Sequence, residues 1–204
     1  MKKLVLLTLI IGSFQNIHSQ EIYFYSGKNY TKYDFKDKTG TSSPSLQTGS
    51  GNFYEIGYAM PLGNEKISYA LGLNLNEYNA LGSSTFNSYS WNTQYLGLKN
   101  SLSYSLFDRN SFDVALSGGL TLATLIYGKQ EINGTYLDLM KQKEFSGLIV
   151  QPFVGFQTRY NISNDGYLSF GYNFSKSFNV TNSTNEKLSF NNSQIQFGIH
   201  FNMQ

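Results

Sequence analysis

The chain has 204 residues, 40% hydrophobic, 16% aromatic and 14% charged, with a formal net charge of +2. Charged residues fall well below the roughly 25% of an ordinary soluble domain, and the charge balance argues against a nucleic-acid binder, whose phosphate contacts need a basic surface. Three prolines and no cysteine exclude collagen-like chains, disulfide-stapled folds and Cys-ligated zinc.

Lys2 and Lys3 precede an apolar run from Leu4 to Ile11, and small and polar residues lead to Ser19. This is the pattern of a cleaved secretory signal peptide over residues 1–19, leaving one domain over 20–204. No cysteine lies near Ser19, which excludes a lipoprotein anchor there. Cleavage removes two lysines and no acids, so the mature chain is close to neutral. No later apolar run approaches the roughly 20 residues of a membrane helix. A membrane crossing by the mature chain therefore has to use a closed barrel, in which strands satisfy one another's backbone groups.

Along the mature chain the period is two. The first strand, about Glu21 to Phe35, is strongly aromatic but ambiguous in phase. In the second, Tyr54, Ile56, Tyr58 and Met60 share a face opposite Glu55, Gly57 and Ala59. The third is the clearest, with Ile67, Tyr69, Leu71, Leu73 and Leu75 against Ser68, Ala70, Gly72, Asn74 and Asn76. Leu96, Leu98, Leu102, Tyr104 and Leu106 then alternate with Tyr95, Gly97, Lys99, Ser101, Ser103 and Ser105. Phe112 to Leu122 repeats the scheme around Asp113, Ala115, Ser117, Gly119 and Thr121. Between 148 and 160, Leu148, Val150, Val154, Phe156 and Tyr160 oppose Gln151, Phe153, Gly155, Gln157 and Arg159, with Pro152 weakening local pairing. Leu168 to Phe174 and Ile195 to Phe201 complete eight predicted strands of roughly 9 to 15 residues, longer than those of ordinary sheets.

Short connections, 61–65, 107–110 and 161–166, carry turn-forming Gly, Asn and Asp. They alternate with longer ones, about Lys36 to Gly51, Asn79 to Ser90, Gly128 to Ser146 and Val180 to Ser189. Period alone does not say which face is inside. The minor face, however, is Ser, Gly, Ala, Asn and Gln with few charges, which suits a crowded lumen better than a solvated surface. Aromatics near strand ends, Tyr54, Tyr104, Phe107, Phe112, Tyr160, Tyr167 and Phe201, suit two interfacial girdles. The expected fold is all-β: an eight-stranded antiparallel up-and-down transmembrane β-barrel with short periplasmic turns and longer extracellular loops. A soluble periplasmic lipid-binding barrel, with the leucine-rich face inward, is the alternative.

The last strand carries Gln196, Gly198, Phe201 and Met203 at a polar, glycine, hydrophobic, hydrophobic spacing. With the signal peptide and eight alternating strands, the chain resembles small Gram-negative outer-membrane β-barrel proteins of the OmpA/OmpX-like, porin-family type. It departs from them in that Asn202-Met203-Gln204 follows Phe201. The resemblance implies localisation to the cell outer membrane, lipid contact and recognition of that last strand by the barrel-assembly machinery. With the sparse chemistry of the chain, the expected protein is a monomer with a non-enzymatic role, structural or in surface binding through the extracellular loops. Lys36 to Gly51 and Gly128 to Ser146 are the loops best suited to recognition, and the ligand is unknown. A small-solute porin is a further alternative.

Chemistry-bearing residues are few. His18 leaves with the signal, so His200 is the remaining histidine, on the inward face near the periplasmic end. The lipid-A-modifying enzymes among such barrels face the outer leaflet instead, and no Ser-His pair is adjacent in sequence. There is no GxSxG, phosphate loop, dinucleotide fingerprint or HExxH, and no cofactor or metal is expected. Asp34 and Asp37 lack calcium-loop spacing. Asn133-Gly134-Thr135 reflects high Asn and Ser content and implies no glycan. Glu55, Lys99 and Arg159 all point inward, and because isolated buried charges are costly they are expected to pair in a network that plugs the lumen.

Overall fold

The computed structural model describes residues 20–36, 46–83, 87–109, 111–142, 144–163, 165–181 and 187–203. Residues 1–19, expected from the sequence to be a signal peptide, and the stretches 37–45 and 182–186 lie outside them. Within the described residues ten strands form: β1 (Gln20–Lys36), β2 (Leu46–Leu62), β3 (Asn64–Glu77), β4 (Ala80–Ser83), β5 (Ser88–Arg109), β6 (Phe112–Ile132), β7 (Thr135–Asp138), β8 (Leu148–Ser163), β9 (Gly166–Asn179) and β10 (Lys187–Met203).

Eight of them make the barrel. β1, β2, β3, β5, β6, β8, β9 and β10 each pair antiparallel with the next, and β10 returns to β1 to close the ring. β4 prolongs β3 past a break at Tyr78–Asn79, pairing with β2 and β5, while β7 folds back on β6 alone. The ring closes with a stagger. Thr31 pairs with Asn192, then in turn Ser175, Phe153, Gly119, Ser101, Ala70, Ala59 and finally Glu21, ten residues below the start on β1. That shear over eight strands corresponds to a tilt of about 40° and an interior that side chains fill.

The eight barrel strands run from 14 to 22 residues, and six of them exceed the expected range. A tilted bilayer strand needs about 9–11, so the surplus stands outside the membrane. It stands at the long-loop end: β2 begins at Leu46 and β6 continues to Ile132, both within segments expected to be loop. The turns follow local chemistry. Gly63 takes a φ of 66° between β2 and β3, and Asn133-Gly134, with φ of 49° and 83°, makes the tight β6–β7 hairpin. Asn133-Gly134-Thr135 is thus a turn signal.

The alternating stripe faces outward. Leu73 is 50% exposed while Asn74 beside it is 3% exposed, and Ile56, Leu116 and Phe197 are exposed in the same way. The inward-leucine alternative is thereby set aside, and an apolar band of this extent on a protein surface requires hydrocarbon around it. β1, ambiguous in sequence, directs Tyr23, Tyr25, Asn29, Thr31 and Tyr33 into the lumen and Phe24, Lys28, Tyr30 and Lys32 outward. Replacing the lipid-facing Leu71 by Arg is expected to destabilise the barrel by about 2–4 kcal/mol, and Leu71→Ala by much less. Reversible unfolding by denaturant from phospholipid vesicles measures both; equal losses would place Leu71 away from lipid.

Candidate functional site

The lumen is a stack of side-chain layers. At the short-turn end β9 and β10 put Ser169 and His200 side by side, with Ser169 Oγ 2.7 Å from His200 Nε2. The other ring nitrogen of His200 meets the Glu21 carboxylate, whose second oxygen accepts from the Tyr167 hydroxyl. Tyr167 stacks on the imidazole at 4.2 Å between centroids, and the Arg159 guanidinium lies 5.4 Å from the Tyr167 ring centre. Arg159 Nε also approaches Asp113 at 3.8 Å.

Ser169, His200 and Glu21 have the order of a hydroxyl, imidazole and carboxylate relay. A relay acts only on a substrate that reaches the hydroxyl. Ser169 is 3% exposed and His200 1% exposed. A neighbouring cavity of about 30 Å³ touches Glu21 and Arg159 but neither Ser169 nor His200. A wider bowl of about 180 Å³ at this end stops at Arg159 and Tyr167. No ester or peptide fits against Ser169 Oγ, and the three residues act as a clamp tying β1, β9 and β10.

The next layer holds Glu55 and Lys99. Lys99 Nζ lies 3.0 Å from Glu55 Oε2, and the Tyr23 hydroxyl donates to Oε1 at 2.9 Å. The ammonium also sits 4.9 Å from the Phe153 ring centre. Gly72 makes room for the pair, since a Cβ there would stand 2.8 Å from Glu55 Oε1. Of the three charges expected to cluster, the structure brings Glu55 and Lys99 together and gives Arg159 to the Asp113, Glu21 and Tyr167 group.

Above them runs an amide ladder. Asn29 donates to Asn76 and accepts from Asn192 and Gln194 at 2.9–3.1 Å, and Asn173 donates to Gln194 and Gln196. Tyr78 donates to Gln151, which donates to Ser175. The cavity at this level is about 20 Å³. A water needs about 10–15 Å³ of such space, so neither buried layer offers a continuous path. Gln196 and Gly198 belong to this inward face, with Gly198 against Tyr25 and Ser169, whereas Phe201 is exposed outside and Met203 half-buried.

At the long-loop end the lumen becomes apolar, contrary to the expectation of small polar residues throughout. Tyr33, Tyr78, Tyr95, Leu125, Ile149 and Phe190 form a buried core. The β6–β8 connection folds into it. Asp138 caps a 3-10 turn (Leu139–Lys141) by accepting from Met140 N, and Leu139 enters the mouth against Gly128. Asn179 anchors the returning chain by donating to Ser146 O at 2.8 Å. Over this plug a cup of about 400 Å³ opens outward, floored by Tyr33, Leu139, Phe145 and Leu188 and walled by Tyr89 and Trp91. The sequence signal for this region was present where both phases turn apolar, as in Leu148-Ile149-Val150 and Leu125-Ile126-Tyr127. Among the described residues no group of three or more His, Asp or Glu side chains could hold a metal.

No protein-family model matches the chain, and no curated protein matches it in sequence. Its fold has solved counterparts. The outer membrane protein OprG from Pseudomonas aeruginosa aligns with a TM-score of 0.57 at 10% identity, covering 92% of this chain and 97% of that one. Neisserial surface protein A aligns at 0.48 and 14% identity, covering 87% and 96%. The outer membrane protease OmpT from Escherichia coli aligns at 0.48 and 8% identity, covering 92% and 98%. Likeness at this level describes shape alone, and the shape is that of the Gram-negative outer-membrane β-barrels.

Lys99→Met strands a buried carboxylate and is expected to cost about 3–5 kcal/mol. Adding Glu55→Gln restores much of that loss, because the orphaned charge is gone. A double-mutant cycle on denaturant midpoints reads the coupling; additive losses would show that the two groups do not act as a pair.

Proposed function

We propose that the mature chain is a monomeric, non-enzymatic protein of the cell outer membrane, with a closed lumen and a binding role at its outward mouth. The observation that carries this reading is the contrast in open space. Cavities in the two buried layers hold about 30 and 20 Å³ and the bowl at the short-turn end about 180 Å³, whereas the cup among the long loops holds about 400 Å³. A solute pathway needs continuity through the Glu55–Lys99 and amide layers, and both are filled and hydrogen-bonded. The hydroxyl of Ser169 is sealed from any substrate larger than water, which supports the non-enzymatic reading.

The remaining partners follow from the exterior. Outer-membrane lipid covers the leucine and aromatic band. The assembly machinery reads β10 through Gln196, Gly198, Phe201 and Met203, of which Phe201 is the one most exposed to an external receptor. The Gly128 to Ser146 connection contributes to the cup through Gln130, Leu137 and Leu139. Purified protein in planar bilayers is expected to give no steady conductance. Reproducible single-channel steps, abolished by heat unfolding, would replace this reading with the porin alternative.

A further inference from the structure

We infer that the cup at the long-loop end is a binding site for an uncharged, flat, mostly apolar molecule that carries one hydroxyl or carbonyl group. The inference rests on the reading of the outward mouth as the binding face and specifies what that face takes.

Four features define the ligand. The first is size: about 400 Å³ lies within the range of about 300–1,000 Å³ typical of small-molecule sites. The second is a flat wall. Tyr89 and Trp91 stack with their rings 5.9 Å apart and 19° from parallel, and Tyr33 approaches Trp91 at 6.3 Å. Gly82 lets the indole lie close to the sheet, since a Cβ there would meet Trp91 Cζ3 at 3.1 Å. An array of ring faces held in place favours a planar ring.

The third feature is what the remaining wall lacks. Leu46, Leu137, Leu139 and Leu188 offer no hydrogen bond. A sugar or peptide would shed water from several polar groups there without replacement, at a cost an apolar ring does not incur. The fourth is charge. Among the described residues that line the cup there is no lysine, arginine or histidine, and Glu144 is the single acid. Among these residues an anion finds no counter-charge. Gln130 and Gln142 supply amides that donate or accept, enough to orient one hydroxyl or carbonyl.

Trp91 is the single tryptophan of the chain, so emission excited at a wavelength that its 16 tyrosines do not absorb reports on this wall alone. The experiment uses the folded barrel in phospholipid nanodiscs with 4-bromophenol, a flat, uncharged heavy-atom quencher with one hydroxyl, and with 4-bromobenzoate as its anionic counterpart. Saturable quenching by 4-bromophenol is expected, with 4-bromobenzoate at least tenfold weaker. Leu137→Asp, on an exposed hairpin position that barrel formation does not need, is expected to weaken 4-bromophenol at least tenfold while gel migration of the folded form stays unchanged. A linear, unsaturating decline equal in both proteins would reflect partition into lipid and overturn the inference, as would protection of Trp91 by millimolar glucose. Conductance of the same purified protein in planar bilayers separates the two readings: a silent barrel without saturable quenching sinks only the ligand class.

Discussion

Hydrocarbon offers no hydrogen-bond partner to a peptide group, and the rest of this structure depends on that constraint. A sheet with a free edge would leave a row of N–H and C=O groups unsatisfied in lipid at several kcal/mol each. The ring therefore closes, with β1 paired to β10 along its whole length from Gln20↔Met203 to Lys36↔Lys187. That seam is fastened again from inside. His200 reaches Glu21 at one end, and Asn192 and Gln194 reach Asn29 further along.

Closure at eight strands leaves a narrow interior, and the polar residues placed there must satisfy one another. The amide ladder does so, with side chains that are neutral and can both donate and accept. The charged groups cannot, and each is matched by an opposite charge or an aromatic face. Beyond the membrane the logic inverts. Where β1, β2 and β6 extend past the bilayer their outer faces carry Lys32, Thr48, Ser50 and Lys129, all exposed, and the inner face turns aromatic and aliphatic. The extension is built like a soluble barrel standing on a membrane barrel, because its solvent is water. The plug and the cup are products of that change of solvent.

The alternation was legible wherever one phase was small or polar. Ile67 to Leu75 announced its lipid face unaided, and β10 did so through Gln196 and Gly198. It was not legible where both phases are large. Tyr23, Phe24 and Tyr25 read alike in sequence, and the pairing of Tyr25 with Glu55 decides which of them faces inward. Ile149, flanked by Leu148 and Val150, is buried for the same reason. Asn133-Gly134 was read from composition within a loop, although that dipeptide asks for the left-handed backbone of the tight hairpin it forms.

Parity along a strand is a local property of the backbone, so the sequence alone was enough to assign Glu55, Lys99, Arg159 and His200 to the lumen. Who meets whom across that lumen is not local. It depends on register at each of eight seams and on the ten-residue stagger they accumulate. Gly72, opposite Lys99 on β5, stands between it and Glu55, and Arg159 is carried to Asp113 and Tyr167 instead. The Ser169–His200–Glu21 clamp, drawn from three strands, and the cup, assembled from strand ends and a folded-in connection, arise in the same way. No short stretch of chain contains either, because each exists only once the ring has closed.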